Sequence, residues 1–300
     1  MANKTREPNL PSSHTILQYF TSFMDDPLFD SIEGDGPYVK AKECFDKKEF
    51  DKILPLCEEE ISANGNYLLK AKLMKATFLV LTKQLEAALK LLSEVIDEAE
   101  NEIKIKVNAL VKRGALYIQR CHDPTTDANM SYADFNLAAD LDPNSADVLM
   151  NRGQINLLLD NFQAAVEDLA KAAELRPDFA LANVQKLYTD FLAAQIQNDA
   201  KQIDEIVEGF KAAVVKFPSC VEVYALYAKV LQERGDAEGA DEMYKKGTEL
   251  NPDNANLIVH RALLALQRTG DIEATMAEIN RAIQVIANLS PSSRLNGMRW

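Results

Sequence analysis

The chain has 300 residues, 47% hydrophobic and 26% charged, with a formal net charge of −13. That acidity argues against a nucleic-acid partner, because a phosphate backbone selects basic surfaces; it either favours encounter with basic peptides or serves solubility alone. No apolar run approaches the ~18 residues of a membrane span, and the cysteines at 44, 57, 121 and 220 are too far apart for a metal or redox motif.

The N-terminal stretch MANKTREPNLPSSH lacks a signal-peptide core. Residues 13–24 place Ile16, Leu17, Phe20, Phe23 and Met24 on one helical face. Such a helix either packs over an open end or groove of the fold or contacts a partner. Residues 26–37, DPLFDSIEGDGP, read as a linker, so 1–36 form an N-terminal helix and linker.

From residue 37 the sequence repeats. Ala41, Ile53 and Cys57 mark a weak first unit, and Ala76, Ala88 and Leu92 a second. Gly114, Phe135 and Ala138 mark a third, with a lengthened turn expected over 120–131. Beyond it the pattern sharpens. Pro143, Pro177, Pro218 and Pro252 recur at intervals of 34, 41 and 34. Phe135, Leu169, Phe210 and Tyr244 keep those intervals, as do Ala138, Ala172, Ala213 and Gly247. A column of Gly153, Leu187, Ala228 and Ala262 follows one repeat later.

A period near 34 marks stacked helical hairpins. In the clearest unit Leu149, Gly153 and Leu157 share one face of a first helix, and Ala165, Leu169 and Ala172 one face of a second. Gly153 and Ala165 are small because the two helices cross closely there. Each proline stops a second helix, since it cannot donate the helical backbone bond. Arg152, beside Gly153, is expected to pair with an acid on a neighbouring helix. The interval of 41 places seven extra residues between Phe191 and Glu205, about two helical turns, which keeps the buried face in phase. A last unit opens with Ala262 and Ala274 and fades by Leu289, leaving 290–300 as an unpatterned tail.

The fold class is therefore all-α, a tetratricopeptide-repeat superhelical solenoid of about seven antiparallel helix pairs over residues 37–289. Solenoids of this kind hold another polypeptide along a concave wall lined by the first helices. With the Gly153 column as the crossing face, the residues left to line that wall are Val111, Ala115, Ile118, Met150, Gln154, Leu157, Val184, Tyr188, Phe191, Glu222, Lys229, Val259, His260 and Leu263. Most are apolar, which suits an amphipathic helix laid into a groove. The competing reading is that neighbouring hairpins, or the 13–24 helix, bury them. Glu222 either meets a basic residue of the guest or is a solvated acid favoured by a helix N-terminus. His260 either donates to a guest or is an ordinary half-buried histidine.

Rival functions fit less well. Docking an acidic chaperone tail needs a cationic clamp, yet the corresponding inner positions include Val111, Leu181 and Gln185, with only Asn151 suitable. An enzyme finds no support in His14, His122 and His260, which are scattered, nor in any glycine-rich phosphate loop or nucleophile elbow. No cofactor or metal is expected. A passive scaffold in a larger assembly stays open.

TREPNLPSSHTILQYFTSFMDD, then YVKAKECFDKKEFDKILPLCEEEI, resemble the seventy-kilodalton import-receptor family of the mitochondrial outer-membrane translocase. ALVKRGALYIQ, DFNLAADLDPNSADV, RGQINLLLD and CVEVYALYAKVL with ADEMYKKGTELNPDNA look like successive pieces of that family's C-terminal domain, so the resemblance covers roughly residues 5–288. It implies a module at the cytosolic face of the mitochondrial outer membrane. The implied partners are precursor proteins with internal hydrophobic targeting signals, such as carriers, and other translocase subunits. The family's membrane anchor and three-repeat chaperone-docking domain would precede this region and further hairpins would follow it. The chain is accordingly expected to be a fragment or shortened product, soluble alone and without chaperone-tail docking.

Overall fold

The computed structural model describes residues 27–120 and 124–288. The amphipathic helix expected at 13–24 and the tail at 290–300 lie outside the described residues, as do His14, Cys121 and His122. Among the described residues the fold is all-α, as the repeats predict, with seven helix pairs. Two compact units meet in sequence at Pro143 and Asn144.

The first unit contains α1 (Pro37–Asp46), α2 (Ile53–Ser62), α3 (Leu68–Leu81), α4 (Leu85–Glu98), α5 (Ile103–Arg120) and α6 (Pro124–Leu141). Its core is built on Ala41, Ile53, Cys57, Ala76, Ala88, Leu92, Phe135 and Ala138, all buried. Burial pushes the Cys57 thiol up to about 12, so it stays protonated and inert. The stretch expected to be a linker is tied down instead. Leu28, in a short 3-10 turn (Pro27–Phe29), is buried. Asp30 pairs with Lys104 at 2.6 Å and Lys70 at 3.6 Å, and its carbonyl accepts from Lys42 Nζ at 2.6 Å. The turn expected over 120–131 is also largely helix, since α6 begins at Pro124, a residue suited to a first helical position.

The second unit contains α7 (Ala146–Leu158), α8 (Phe162–Leu175), α9 (Ala180–Gln197), α10 (Ala200–Lys216), α11 (Val221–Glu233), α12 (Ala237–Leu250), α13 (Ala255–Thr269) and α14 (Ile272–Asn288). The prolines stand where helices stop: α6, α8, α10 and α12 each end two residues before Pro143, Pro177, Pro218 and Pro252. Two residues after Pro143 and Pro252, Ser145 and Asn254 cap the next helix, accepting from Val148 N and Leu257 N. The long interval is helix, as expected. Compared with α7 and α8, the pair α9 and α10 has eight more helical residues and a turn shorter by one. Asn198 closes α9 with a φ of 52°, a left-handed conformation that asparagine tolerates.

Gly153 shows why the small column exists. A methyl group placed on it would sit 2.8 Å from Leu169 Cγ, a fully buried branch carbon with no room to yield. Gly153→Ala should therefore destabilise the second unit by about 1–2 kcal/mol through overpacking, despite alanine's helix propensity advantage of about 1 kcal/mol. A rise in the urea midpoint of this variant would refute that close crossing.

Candidate partner-binding face

Two ion pairs brace the hairpins next to the small column. Arg152 Nε donates to Asp168 Oδ2 at 2.8 Å and its Nη2 to Oδ1 at 2.5 Å, joining α7 to α8. This is the acid partner the sequence leads one to expect for Arg152. Asn156 Nδ2 donates to the same Oδ2 at 3.0 Å. One repeat earlier Arg113 binds Asp134 in the same bidentate manner, at 2.8 and 2.7 Å, and also donates to Ser93 Oγ. In both hairpins the arginine precedes the small residue of the first helix, and the aspartate precedes the large residue of the second.

The fourteen residues expected to line a groove separate into two sets. Four are core. Val111 in the first unit and Met150, Val184 and Phe191 in the second are buried, so their side chains reach no surface and the expectation for them is corrected. The reason is plain for Val184 and Phe191, which pack with Phe210, Val223 and Leu226 in one apolar cluster. A first helix touches its hairpin partner and also the hairpins before and after it, so one crossing column cannot mark every buried face. On α5, Ala115 and Ile118 are half-buried. In the second unit Gln154, Leu157, Tyr188, Glu222, Lys229, Val259 and His260 are half-buried, and Leu263 is exposed.

Three of these gather on α9, α11 and α13. Lys229 Nζ stands 5.5 Å from the centre of the Tyr188 ring, within cation–π range. Tyr188 lies against Phe191 with ring centres 6.4 Å apart, and His260 lies parallel to Tyr244 at 6.1 Å. Burial, with a smaller push from Glu233, raises the Tyr188 hydroxyl to about 12, so it stays a neutral donor. Burial holds His260 below the usual histidine range, and Lys229 lowers it further, so the ring is neutral above about pH 6.5. Burial also lowers Lys229, which Glu233 partly offsets.

Glu222 stands in the first turn of α11, and Cys220 Sγ donates to its Oε2 at 3.2 Å. Burial first, then the Glu222 charge, raise that thiol to about 12. Seven residues separate Glu222 from Lys229, so this face of α11 carries an acid and a base about 10 Å apart along the helix axis.

Between α11 and α13 a shallow recess is lined by Ala225, Leu226, Lys229, Asn256, Leu257 and His260. Ala225, Leu226, Asn256 and Leu257 were not expected there. Only the neighbouring hairpin's registration reveals them, although Asn254, the cap of α13, fixes where that helix begins. Among the described residues no cluster of histidine, cysteine or carboxylates could hold a metal, and no helix is long and apolar enough to cross a membrane.

Comparison with known proteins agrees with this architecture. Residues 146–179 and 221–254 match the tetratricopeptide repeat model. A solved tetratricopeptide repeat protein from Parabacteroides merdae superposes with a TM-score of 0.67 at 16% identity, covering 88% of this chain and 97% of that one. The crystal structure of yeast Tom70 superposes at 0.62 with 22% identity, over 94% of this chain and 60% of that one. These two establish the fold. The human mitochondrial import receptor subunit TOM70 is 39% identical over 94% of this chain.

The chain belongs to the TOM70 import-receptor family.

The rat TOM70 is 38% identical over the same share, and the Saccharomyces cerevisiae TOM70 is 27% identical over 82% of the chain. The chain spans about half the length of the curated TOM70 relatives, 49% of the human one. In this chain those repeats carry the Arg–Asp braces and the mixed apolar and charged face of α9, α11 and α13.

Proposed function

We propose that this chain is a non-catalytic binding module of a mitochondrial import receptor, acting at the cytosolic face of the outer membrane. It holds precursor proteins through internal hydrophobic or helical targeting segments and passes them to the translocase. The observation that carries this reading is the accessible row on the first helices of the second unit, with Tyr188, Lys229, His260 and Leu263 at graded exposure beside Glu222. Apolar rings and methyls exclude water along an amphipathic guest helix, while Glu222 meets a basic side chain on it. Half-burial matters here. A fully buried row offers nothing to a guest, and a fully exposed one gains little from contact.

A receptor that must release its cargo needs only micromolar affinity, about −8 kcal/mol. Fluorescence anisotropy with a labelled amphipathic peptide from a carrier-type precursor tests the reading. Tyr188→Ala is expected to weaken binding about tenfold, since truncating a central aromatic anchor costs more than about 1 kcal/mol. Glu222→Lys should weaken a basic peptide and spare a neutral one. If both variants bind every peptide as well as the parent chain, the face is misassigned.

A further inference from the structure

We propose that the inner wall of the first unit, on α3 and α5, is a second helix-binding surface, and that its occupant is this chain's own residues 13–24. This placement does not depend on the proposed function. Where that function holds, the second unit is the wall left open to cargo.

The first helix of a hairpin touches its own second helix and the hairpins on either side, which leaves one face for the concave wall. α3 and α11 can be compared position by position. Ala76 stands 12 residues before Ala88, and Ala228 stands 12 before Ala240, so the two small pairs share one register. Around Ala228 the wall positions Ala225, Lys229 and Gln232 are half-buried. Around Ala76 the same positions, Leu73, Thr77 and Val80, are 0%, 1% and 1% exposed. Both helices have a hairpin before and after them in the chain, so neighbouring hairpins alone do not make the difference. The adjoining helix agrees, since Val107, Asn108, Val111 and Lys112 of α5 are all buried. A lysine reaches water easily along its flexible stem, so a closed-off Lys112 marks a wall with a cover on it.

The way the chain enters this unit names the cover. The 3-10 turn that holds Leu28 lies against α3 and α5. Asp30 reaches Lys70 in the first turn of α3 and Lys104 in the first turn of α5. The Tyr67 hydroxyl, at the start of α3, donates to Glu33 O at 2.8 Å and accepts from Glu33 N at 3.1 Å. The chain before Pro27 therefore starts from over the N-terminal ends of both inner helices. Met24 is three residues from Pro27, a span of at most about 11 Å. A 12-residue helix is about 18 Å long, close to the roughly 21 Å of α3, so it can lie along that helix and place Phe20 near Thr77.

The chemistry matches as well. Residues 13–24 contain no aspartate, glutamate, lysine or arginine, and they set Ile16, Leu17, Phe20, Phe23 and Met24 on one face. Leu73, Thr77, Val80 and Val111 on the wall are uncharged too. An isolated helix of this length is marginal in water and gains its stability from packing such a face. The second unit, by contrast, carries Glu222 and Lys229 on its face, which suits a charged guest rather than this neutral segment.

Two measurements on the full chain test the placement. With Phe20 replaced by p-benzoylphenylalanine, irradiation should give adducts within one chain, in α3 or α5, located by mass spectrometry. Adducts in α9, α11 or α13, or between two chains, overturn the proposal. In the second measurement Cys44, Cys121 and Cys220 are replaced by serine, and Thr77→Cys is labelled with a maleimide. Adding Phe20→Asp and Phe23→Asp should speed that labelling about tenfold by opening the wall. Leu263→Cys on α13 should label equally in both backgrounds, with helicity confirming the fold. A synthetic peptide of residues 10–26 should then slow Thr77→Cys again. Equal labelling of Thr77→Cys with and without the two aspartates overturns the placement, and so does a peptide that restores no protection.

Discussion

Replacing Asp168 by alanine is expected to destabilise the second unit by about 2–4 kcal/mol, as much as truncating a buried apolar side chain. Asp168 is buried and accepts three hydrogen bonds, two from Arg152 and one from Asn156. Its removal takes the bidentate acceptor from a guanidinium that is only partly solvated, and strands the amide of Asn156, which is 1% exposed. Breaking a fully buried pair costs about 3–5 kcal/mol, and the 23% exposure of the Arg152 side chain lets water recover part of that. The physical claim is the coupling, so a double-mutant cycle with Arg152→Met decides it. The two changes should be non-additive by about 1–3 kcal/mol. Asp134→Ala, which removes the equivalent acceptor of Arg113, should lower the stability of the first unit without shifting the second. Additive losses at Arg152 and Asp168 would mean that the brace is incidental to the hairpin.

Much of this was legible because the repeats over-determine it. Pro143, Pro177, Pro218 and Pro252 each fall two residues beyond a helix end, where a residue lacking an N–H has to fall. The seven extra residues appear as helix because only about two whole turns return Phe210 and Ala213 to the core. Arg152 was legible for a related reason: a cation beside a glycine at a close crossing has to find an acid on the opposite helix. Burial of the individual lining residues was not. Phe191 stands at the start of the lengthened part of the hairpin and shares a core cluster with Phe210, whose own position depends on the hairpin's length. Periodicity along one helix says which residues share a face but not how many neighbours claim it. The 27–36 segment was missed because glycine and acid look like a linker, while its anchors, Lys104 and Tyr67, are far away in sequence. Asn256 gave no sequence signal at all, since its place in the recess exists only against α11.

Glu60 carries the remaining large effect and was also invisible beforehand, as one of three successive glutamates that nothing in the sequence distinguishes from one another. The register of α2 turns Glu58 and Glu59 outward and leaves Glu60 only 3% exposed. There its Oε1 accepts from Tyr67 N at 2.9 Å and its Oε2 from Tyr38 N at 3.3 Å. Those amides stand at the starts of α3 and α1, so one carboxylate caps two helices and faces the positive ends of both dipoles. Gly65 has to remain without a side chain, because a methyl group there would fall on the carboxylate itself. Glu60→Gln keeps the shape but exchanges one acceptor for an NH2 that confronts an N–H, and it removes the charge both helix ends attract. Hydrogen bonds to a charged group are worth about 1.5–3 kcal/mol each, so the first unit should lose about 2–4 kcal/mol. Glu60→Ala should lose at least as much, with both amides left without their acceptor. Hydrogen exchange reads the effect locally: the first turns of α1 and α3 should lose protection together in both variants, while α13 keeps its own. Unchanged protection at either helix start would show that the carboxylate holds one helix and merely neighbours the other.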